Sequence, residues 1–199
     1  MWFRCMWFFN VFFWALTYIL LIAYMVKYKT IGIPVIAMIG NFVWELNIVI
    51  RYRSYSTLFV TGVTAWAFID AALILSYLIF CIHDKKRERI AIFLAEVIFY
   101  FAVMYAGFAA KSEFYMLSSL FVGFIMSLAF VFYAIYKKIL PNNLSVAAGI
   151  TRLLGELAAW LMYPGHPVVR INGILVFVCN VVYLFFLIRQ NIVYRSSQV

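Results

Sequence analysis

The sequence predicts an all-α polytopic membrane protein with seven transmembrane helices, and three observations lead to this fold class. Of the 199 residues, 68% are apolar and 12% are charged, and the mean hydropathy is +1.02. A water-soluble domain carries about 25% charged residues. The apolar residues are gathered in stretches close to the roughly 20 residues that a helix needs to cross a hydrocarbon core about 30 Å thick. Inside lipid, only helices and closed barrels satisfy every backbone hydrogen bond, and stretches of this length favour helices.

Seven apolar segments follow one another along the chain. They are bounded by charged residues, prolines and asparagines and cover residues 5–26, 31–50, 57–82, 90–110, 114–136, 144–163 and 168–188. We interpret the first as a permanent helix, because it is as long as a membrane span and no small-residue cleavage site follows it. The connections are short, which predicts that consecutive helices are antiparallel neighbours. The expected organisation is a single transmembrane domain of residues 1–199.

The basic residues predict the orientation of the chain. Ten Lys and Arg residues flank the side that carries the C-terminus, and five flank the opposite side. Because Lys and Arg accumulate in cytoplasmic loops, we expect a cytoplasmic C-terminus and an external or lumenal N-terminus, in a bacterial plasma membrane or the endoplasmic reticulum. These residues and Arg152 account for the net charge of +9, so no nucleic-acid partner is expected. The basic run from Lys85 to Arg89 is interpreted as a topology determinant that contacts anionic lipid.

The chain also suggests an internal repeat. Segments one to three and five to seven have similar lengths and the same direction, and the first helix of each half ends alike, in Tyr24-Met-Val-Lys27 and Tyr133-Ala-Ile-Tyr136-Lys137. One interpretation is a three-plus-one-plus-three plan of parallel repeats. The other interpretation is that no repeat is present, because any two groups of three apolar segments resemble each other to this degree.

Ionisable residues inside the predicted spans are the candidates for function. Those that lie away from the segment ends are Glu45, Asp70, Glu96, Arg152 and Glu156. An ionisable side chain near the bilayer centre costs at least about 2.5 to 3.5 kcal/mol on insertion scales, so these side chains are expected to face the bundle interior. A rise of about 1.5 Å per residue places Asp70, Glu156 and Asn180 near mid-membrane. Glu45 falls nearer the outer face and is expected to share a site with these three, whereas Glu96 falls nearer the cytoplasmic face.

Helical spacing gives most of these residues a neighbour on the same face. Asn41 precedes Glu45 by four positions, and Trp66 precedes Asp70 by four. Around Glu156, Arg152 precedes it and Trp160 follows it at the same spacing. The spacing predicts that indoles and carboxyl groups point into one space. Arg152 and Glu156 are most simply interpreted as a buried ion pair, with Glu156 ionised and structural.

Glu45 and Asp70 have no cationic residue at helical spacing within their spans. An apolar environment favours the neutral form of a carboxyl group, so either residue can remain protonated at neutral pH and act as an acid. The alternative is a neutral carboxyl that bonds to a helix neighbour and has no further role.

Neutral acids among aromatic rings suit the protonation of an alkene or epoxide in a lipid-soluble substrate. The carbocation that follows must be kept from water, and a cation over a desolvated aromatic face gains about 2 kcal/mol or more. Aromatic residues make up 21% of the chain and can supply that lining. Most of them have structural roles, because Trp and Tyr gather at membrane interfaces and Phe commonly faces lipid.

The stretch GNFVWEL, Gly40 to Leu46, resembles the Asn-x-x-Trp-Glu segment of the small seven-helix integral membrane terpene cyclases of fungal meroterpenoid and indole diterpene pathways and their bacterial relatives. The stretch GELAAW, Gly155 to Trp160, is similar to a Glu-Trp segment of that family. The resemblance implies metal-independent cyclisation of a prenylated or polyprenyl substrate, with Glu45 as the essential acid and Asn41 and Trp44 as its supporting residues.

The chain departs from the family at its second important acid. That acid lies in a late segment resembling Asp-x-x-Tyr, and the matching stretch here is Asn180-Val-Val-Tyr183. An Asn cannot donate a catalytic proton. Asp70 or Glu156 is expected to take that role, unless the protein cyclises differently or performs another reaction.

The resulting hypothesis is a membrane-embedded terpene cyclase that uses no metal or cofactor and takes a lipophilic prenylated substrate from the bilayer. Glu45 donates the proton, and Asp70 and Glu156 orient or relay it. Trp44, Trp66 and Trp160 stabilise the cations. The remaining substrate-binding candidates are Asn41, Arg152, Asn180 and Tyr183.

Two other classes of protein fit parts of the pattern. A small-solute transporter built from parallel repeats also places paired polar residues at the midplane between its repeats. Such a transporter is expected to have proline-broken helices near the site, whereas the four prolines here lie at or near segment ends. The second alternative is a structural or receptor protein whose buried charges only fix helix register. A retinal protein is excluded, because the seventh segment contains no Lys for a Schiff base.

Overall fold

The computed structural model describes residues 2–51, 57–80, 86–109, 112–136, 143–162, 165 and 167–196. Within these ranges the chain forms seven α-helices. They are α1 (Trp2–Tyr28), α2 (Val35–Arg51), α3 (Thr57–Phe80), α4 (Lys86–Ala109), α5 (Ser112–Tyr136), α6 (Asn143–Leu161) and α7 (Pro167–Ser196). Each predicted segment coincides with one helix, which confirms the all-α architecture. Lys85 and the side chains of the basic run that it begins lie outside the described part of the chain.

The surface of the bundle is apolar, and the interior combines an apolar core with buried polar side chains. Large side chains such as Phe68 and Ile98 are 74% and 69% exposed, whereas Asn10, Thr17 and Asp70 are buried. An apolar surface with polar side chains turned inward is expected of helices surrounded by lipid. Four helices, α1, α3, α6 and α7, are long and apolar enough to cross a membrane. The other three contain shorter apolar stretches, at Val35–Ile50, Ile90–Val103 and Leu120–Tyr136.

Each helix packs against the next in a ring with the order α1, α6, α7, α5, α4, α2 and α3, and α3 returns to α1. In addition, α2 contacts α5. The prediction that all consecutive helices are close neighbours was wrong. Among the described residues, the backbones of α1 and α2, of α3 and α4 and of α5 and α6 do not pack closely, and these helices meet only through side chains. The reason is that a short connection limits how far the next helix can lie without selecting its packing face.

The two halves of the chain have equivalent neighbour relations. In the first half α3 packs between α1 and α2, and in the second half α7 packs between α5 and α6. The first helix of each half also contacts the second helix of the other, as α1 with α6 and α5 with α2. A three-plus-one-plus-three arrangement requires this pattern of neighbours. The sequence repeat itself stays a prediction.

Polar contacts and a glycine join α1 to α6. The Asn10 side-chain amide donates to the Gly155 carbonyl at 2.8 Å. The hydroxyl groups of Thr17 and Thr151 lie 2.8 Å apart and share a hydrogen bond. Residues later in α1 therefore meet residues earlier in α6, so the two helices are antiparallel. Gly155 leaves room for the Trp14 indole, since a Cβ atom at Gly155 would lie 2.9 Å from Trp14 Cδ1.

The end of α1 sets the entry into α2. Lys29 has a φ of 54°, and its N–H donates to the Met25 carbonyl at 2.9 Å, which ends the helix in the left-handed conformation. The Lys29 ammonium lies 3.9 Å from the centroid of the Phe80 ring at the end of α3. Pro34 directly precedes α2, which therefore begins later than the sequence segment suggested.

We predict that Gly155→Ala destabilises the protein whereas Gly123→Ala does not. Alanine forms helix better than glycine by about 1 kcal/mol, but at Gly155 the new methyl group would displace a packed indole. Such overpacking costs about 1 to 3 kcal/mol. A Cβ atom at Gly123, in α5, meets nothing within 4 Å. Thermal unfolding of the two variants in detergent, followed by size-exclusion chromatography, measures the difference. Equal midpoints for both variants would contradict the described α1–α6 contact.

Candidate functional site

Buried polar and aromatic side chains from six of the helices meet in the middle of the bundle. We call this group the central cluster: Trp14 and Tyr18 from α1, Asn41 and Glu45 from α2, Asp70 from α3, Ser127 and Phe130 from α5, Arg152 and Glu156 from α6, and Tyr183 from α7. Glu45, Asp70 and Arg152 are only 2%, 0% and 1% exposed. The structure thus brings together three of the ionisable residues singled out in the sequence, with Glu156 partly buried beside Arg152.

Glu45 and Asp70 form a pair of carboxyl groups within interaction range of each other. Among the described residues, no cationic side chain forms an ion pair with either acid. Nor does any described group donate a hydrogen bond to either oxygen of Asp70 or to Oε2 of Glu45. Two ionised carboxylates at this range would repel each other, so the geometry favours a pair that holds at least one proton.

Tyr18 connects the two sides of the central cluster. Its hydroxyl accepts a hydrogen bond from the Asn41 side-chain amide. It interacts electrostatically with the acids Asp70 and Glu45 and also with Arg152 and Glu156. The sequence analysis missed this residue. The available signal was the polar face of α1, where Asn10, Thr17 and Tyr18 are buried at helical spacing.

Arg152 is surrounded mainly by aromatic rings. Its Cζ atom lies 3.7 Å from the centroid of Phe130, 5.7 Å from that of Trp14 and 5.9 Å from that of Tyr183. Its Nη2 donates to the Ser127 hydroxyl at 3.0 Å. Within the described part of the chain, Nε and Nη1 have no hydrogen-bond partner.

The predicted ion pair between Arg152 and Glu156 is not formed. The two groups are close enough to interact electrostatically, yet no guanidinium nitrogen lies within 4.0 Å of the carboxyl oxygens, and Nε and Nη1 have no partner among the described groups. The physical reason is that the Arg152 side chain extends toward α5 and α7, where Ser127 and Phe130 contact it. The spacing of Arg152 and Glu156 along α6 fixes where their backbones lie but not the directions of their side chains.

Two of the predicted indoles are directed elsewhere. Trp66 donates from Nε1 to the Val11 carbonyl at 3.3 Å and packs edge-on against Trp7, so it faces α1. Trp160 packs against Phe177, with ring centroids 6.3 Å apart, and so faces α7. The prediction that spacing aims these indoles at the carboxyl groups was wrong, because each indole packs into the nearest helix contact. Trp44 is partly buried against the core.

The late Asn180-to-Tyr183 segment lies on the buried face of α7. The Asn180 amide donates to the Val176 carbonyl at 2.8 Å, and its Oδ1 has no partner among the described groups. Tyr183 packs edge-on against Phe130 with ring centroids 5.1 Å apart, which places Tyr183 in the cluster. Glu96 lies on α4 beside Tyr100, whose ring packs against Gly40 of α2. No three His, Cys, Asp or Glu side chains converge as a metal site within the described ranges.

We predict that Arg152→Met leaves the stability of the protein nearly unchanged. Removing one partner of a formed buried ion pair costs about 3 to 5 kcal/mol, whereas an apolar residue in place of an unpaired buried charge is close to neutral. The expected shift of the unfolding midpoint is therefore no more than about 2 to 4 °C, equivalent to about 1 kcal/mol in a chain of this size. Asn10→Leu is the control that should destabilise, because it removes the 2.8 Å hydrogen bond to Gly155. If Arg152→Met lost about 3 to 5 kcal/mol of stability, the cost of removing one partner of a formed ion pair, the described arrangement would be contradicted.

Comparisons of the chain with models of protein families, with curated proteins and with solved structures found no match. The interpretation of the central cluster therefore depends on its own geometry and on the segment from Asn41 to Glu45.

Proposed function

We propose that this protein is a membrane-embedded terpene cyclase, in which a proton from the Glu45–Asp70 pair starts the cyclisation of a prenylated or polyprenyl substrate. The observation that carries the proposal is the carboxyl pair itself. Two acids from different helices lie together, buried to 2% and 0% exposure. A carboxyl that is structural needs only one hydrogen-bond partner, and a pair of acids is a costly way to provide it.

A second carboxyl makes the first a better proton donor. When Glu45 loses its proton, a proton held on Asp70 can donate to the carboxylate that remains, and charge-assisted O–H···O⁻ bonds of this kind are short and strong. The Tyr18 hydroxyl faces the same two groups and can stabilise the same negative charge. Asn41 in turn fixes the position of that hydroxyl.

The acid can start the reaction with either of two substrate types, an alkene or an epoxide, and it is regenerated at the end. With an alkene, the O–H bond of the acid breaks, the π electrons form a C–H bond, and a tertiary carbocation remains. With an epoxide, the proton passes to the oxygen, the C–O bond breaks, and the product keeps a hydroxyl group. Ring closure moves the charge along the chain. In each case a proton lost from carbon returns to the carboxylate and regenerates the acid.

Asp70 can serve as the second acid, which the late segment lacks because it has Asn180 at that position. The resemblance requires a second acid, and the late position holds an amide that cannot donate a catalytic proton. Asp70 reaches Glu45 from α3 instead, so the second acid of this chain comes from the first half of the sequence. Glu156 interacts with Arg152, which makes it a positioning residue in this proposal.

The aromatic rings of the central cluster suit the later steps of the reaction. Trp14, Phe130 and Tyr183 already surround one cation, the Arg152 guanidinium. Faces of this kind stabilise positive charge where water is excluded. Substrate reaches them laterally from the bilayer, since the outer surface of the bundle is apolar.

The deciding experiment uses membranes that contain the protein, incubated with farnesylated acceptors, free polyprenyl chains and their epoxides. We expect cyclised products by mass spectrometry, and at least about a 100-fold loss of rate in Glu45→Gln, the usual scale for removal of a general acid. Asp70→Asn should also lower the rate, and a chelator should have no effect. Glu96→Gln is the matched control, because Glu96 lies beside Tyr100 outside the cluster. No product from any substrate, or activity indifferent to Glu45→Gln, would refute the proposal.

A small-solute transporter is the second candidate, and the equivalent neighbour relations of the two halves favour it. This candidate predicts that reconstituted vesicles accumulate a polar solute in a manner that depends on Glu45 and Asp70. Uptake of that kind without any cyclised product would replace the cyclase proposal. Vesicles that contain the Glu45→Gln variant give the background level of solute uptake.

A further inference from the structure

We propose that the Glu45–Asp70 pair binds a monovalent metal cation, best matched by Na⁺, and that this cation takes the place of a proton. The inference goes beyond the proposed function, because it concerns what the pair binds when it is not acting as an acid. In a cyclase, Na⁺ competes with the proton that starts the reaction. In a transporter, the same exchange supplies a coupling ion near the membrane midplane.

The contacts between α1 and α3 fix the level of Asp70 in the bundle. The Trp66 indole of α3 donates to the Val11 carbonyl of α1 at 3.3 Å. Where both helices end, the Lys29 ammonium lies over the Phe80 ring, so α1 and α3 run in the same direction. Asp70 follows Trp66 by one turn. It therefore lies level with the residues one turn after Val11 in α1.

The contacts between α1 and α2 fix the level of Glu45 in the same way. The Asn41 amide donates to the Tyr18 hydroxyl, and a Cβ atom at Gly32, just before α2, would lie 2.7 Å from the Tyr24 ring. Later residues of α1 thus lie beside earlier residues of the chain around α2, so the two helices are antiparallel. Glu45 follows Asn41 by one turn and lies level with the residues one turn before Tyr18. This is the level that Asp70 reaches from α3.

The oxygens of the pair have acceptor capacity that the described protein does not use. Glu45 and Asp70 are 2% and 0% exposed. Within the described ranges, Oε2 of Glu45 and both oxygens of Asp70 have no hydrogen-bond partner, and no cationic side chain forms an ion pair with either acid. Buried polar atoms are nearly always satisfied by protein, water or ligand. When the pair holds one proton, it keeps one negative charge that lacks a bonded counterion.

The size and charge of the pair favour a monovalent cation over a divalent one. Carboxylate oxygens are ligands for hard cations. Ca²⁺ takes about six to eight oxygen ligands, and Mg²⁺ requires near-octahedral geometry. The pair offers three free carboxyl oxygens, and no third His, Cys, Asp or Glu completes a metal site in the described part of the chain. One Na⁺ neutralises the remaining charge and completes its coordination with water.

The titratable groups around the pair identify the source of the exchanged proton. Tyr18 of α1 interacts with both acids, and with Arg152 and Glu156 of α6. On α4, Glu96 lies beside Tyr100. The residues that α5 contributes to the central cluster do not titrate. A tyrosine keeps its proton near neutral pH, so a proton released there comes from a carboxyl group, and substitutions identify which one.

The test measures proton release when Na⁺ binds. Purified protein in detergent is kept in a weakly buffered solution of choline chloride, and NaCl replaces the choline salt in steps at constant ionic strength. A pH indicator dye reports released protons, and thermal unfolding is followed in parallel. Because carboxylate ligands lose their protons on metal binding, we expect about one proton per protein molecule and a rising unfolding midpoint. Lowering the pH by one unit should weaken the apparent Na⁺ affinity about tenfold, since one proton competes with one cation.

Substitutions locate the response. Asp70→Asn and Glu45→Gln should lose both the proton release and the Na⁺-dependent rise of the midpoint. Glu96→Gln is the matched control and should keep both, because Glu96 lies beside Tyr100 outside the central cluster. The comparison of Na⁺ with choline in the wild type requires no variant to fold.

Three results would overturn the cation site: equal responses to Na⁺ and choline in the wild type, a response that survives in Asp70→Asn, or a tighter response to Ca²⁺ than to Na⁺. The assay contains no prenylated substrate. Its outcome is therefore decided separately from that of the cyclase experiment, and either proposal can fail while the other stands.

Discussion

Helices in a bilayer gain little by burying apolar surface against one another, so close packing and interhelical hydrogen bonds decide which helices meet. In this protein the seam between α1 and α6 has both. The Asn10 and Thr17 side chains bond across it, and Gly155 admits the Trp14 ring. The seam joins the first helix of the chain to the second half of the bundle. It therefore holds the two sides of the central cluster against each other.

The overall fold was predictable from the sequence because its main signal is hydropathy. Each apolar segment became a helix, and Pro34 explains why α2 starts later than its segment. The neighbours of each helix were not predictable from segment order, because a short connection limits distance without selecting a face. That choice depends on contacts between residues far apart in the sequence. An example is the hydrogen bond from Asn10 to Gly155, which are 145 positions apart.

The sequence predicts which residues of the candidate site are buried, because that depends on the chemistry of each residue alone. A carboxyl inside a membrane span has to face the interior, and Glu45 and Asp70 do so. The direction of a long side chain was not predictable, since Arg152 lies one turn from Glu156 and extends toward Phe130 instead. Tyr18 was overlooked because tyrosine in a membrane helix usually reads as an interfacial residue. Its interaction with both the acids and the Arg152 guanidinium is evident only from the three-dimensional arrangement.

The division of the central cluster between the halves of the chain has an evolutionary consequence. The two acids and Asn41 come from α2 and α3, whereas the surroundings of Arg152 come mainly from α5, α6 and α7. Substitutions in the second half can therefore alter the surroundings of Arg152 while the acid pair stays intact. Such a partition would allow the two sets of residues to change separately in evolution, with Tyr18 as the shared neighbour that both must still fit.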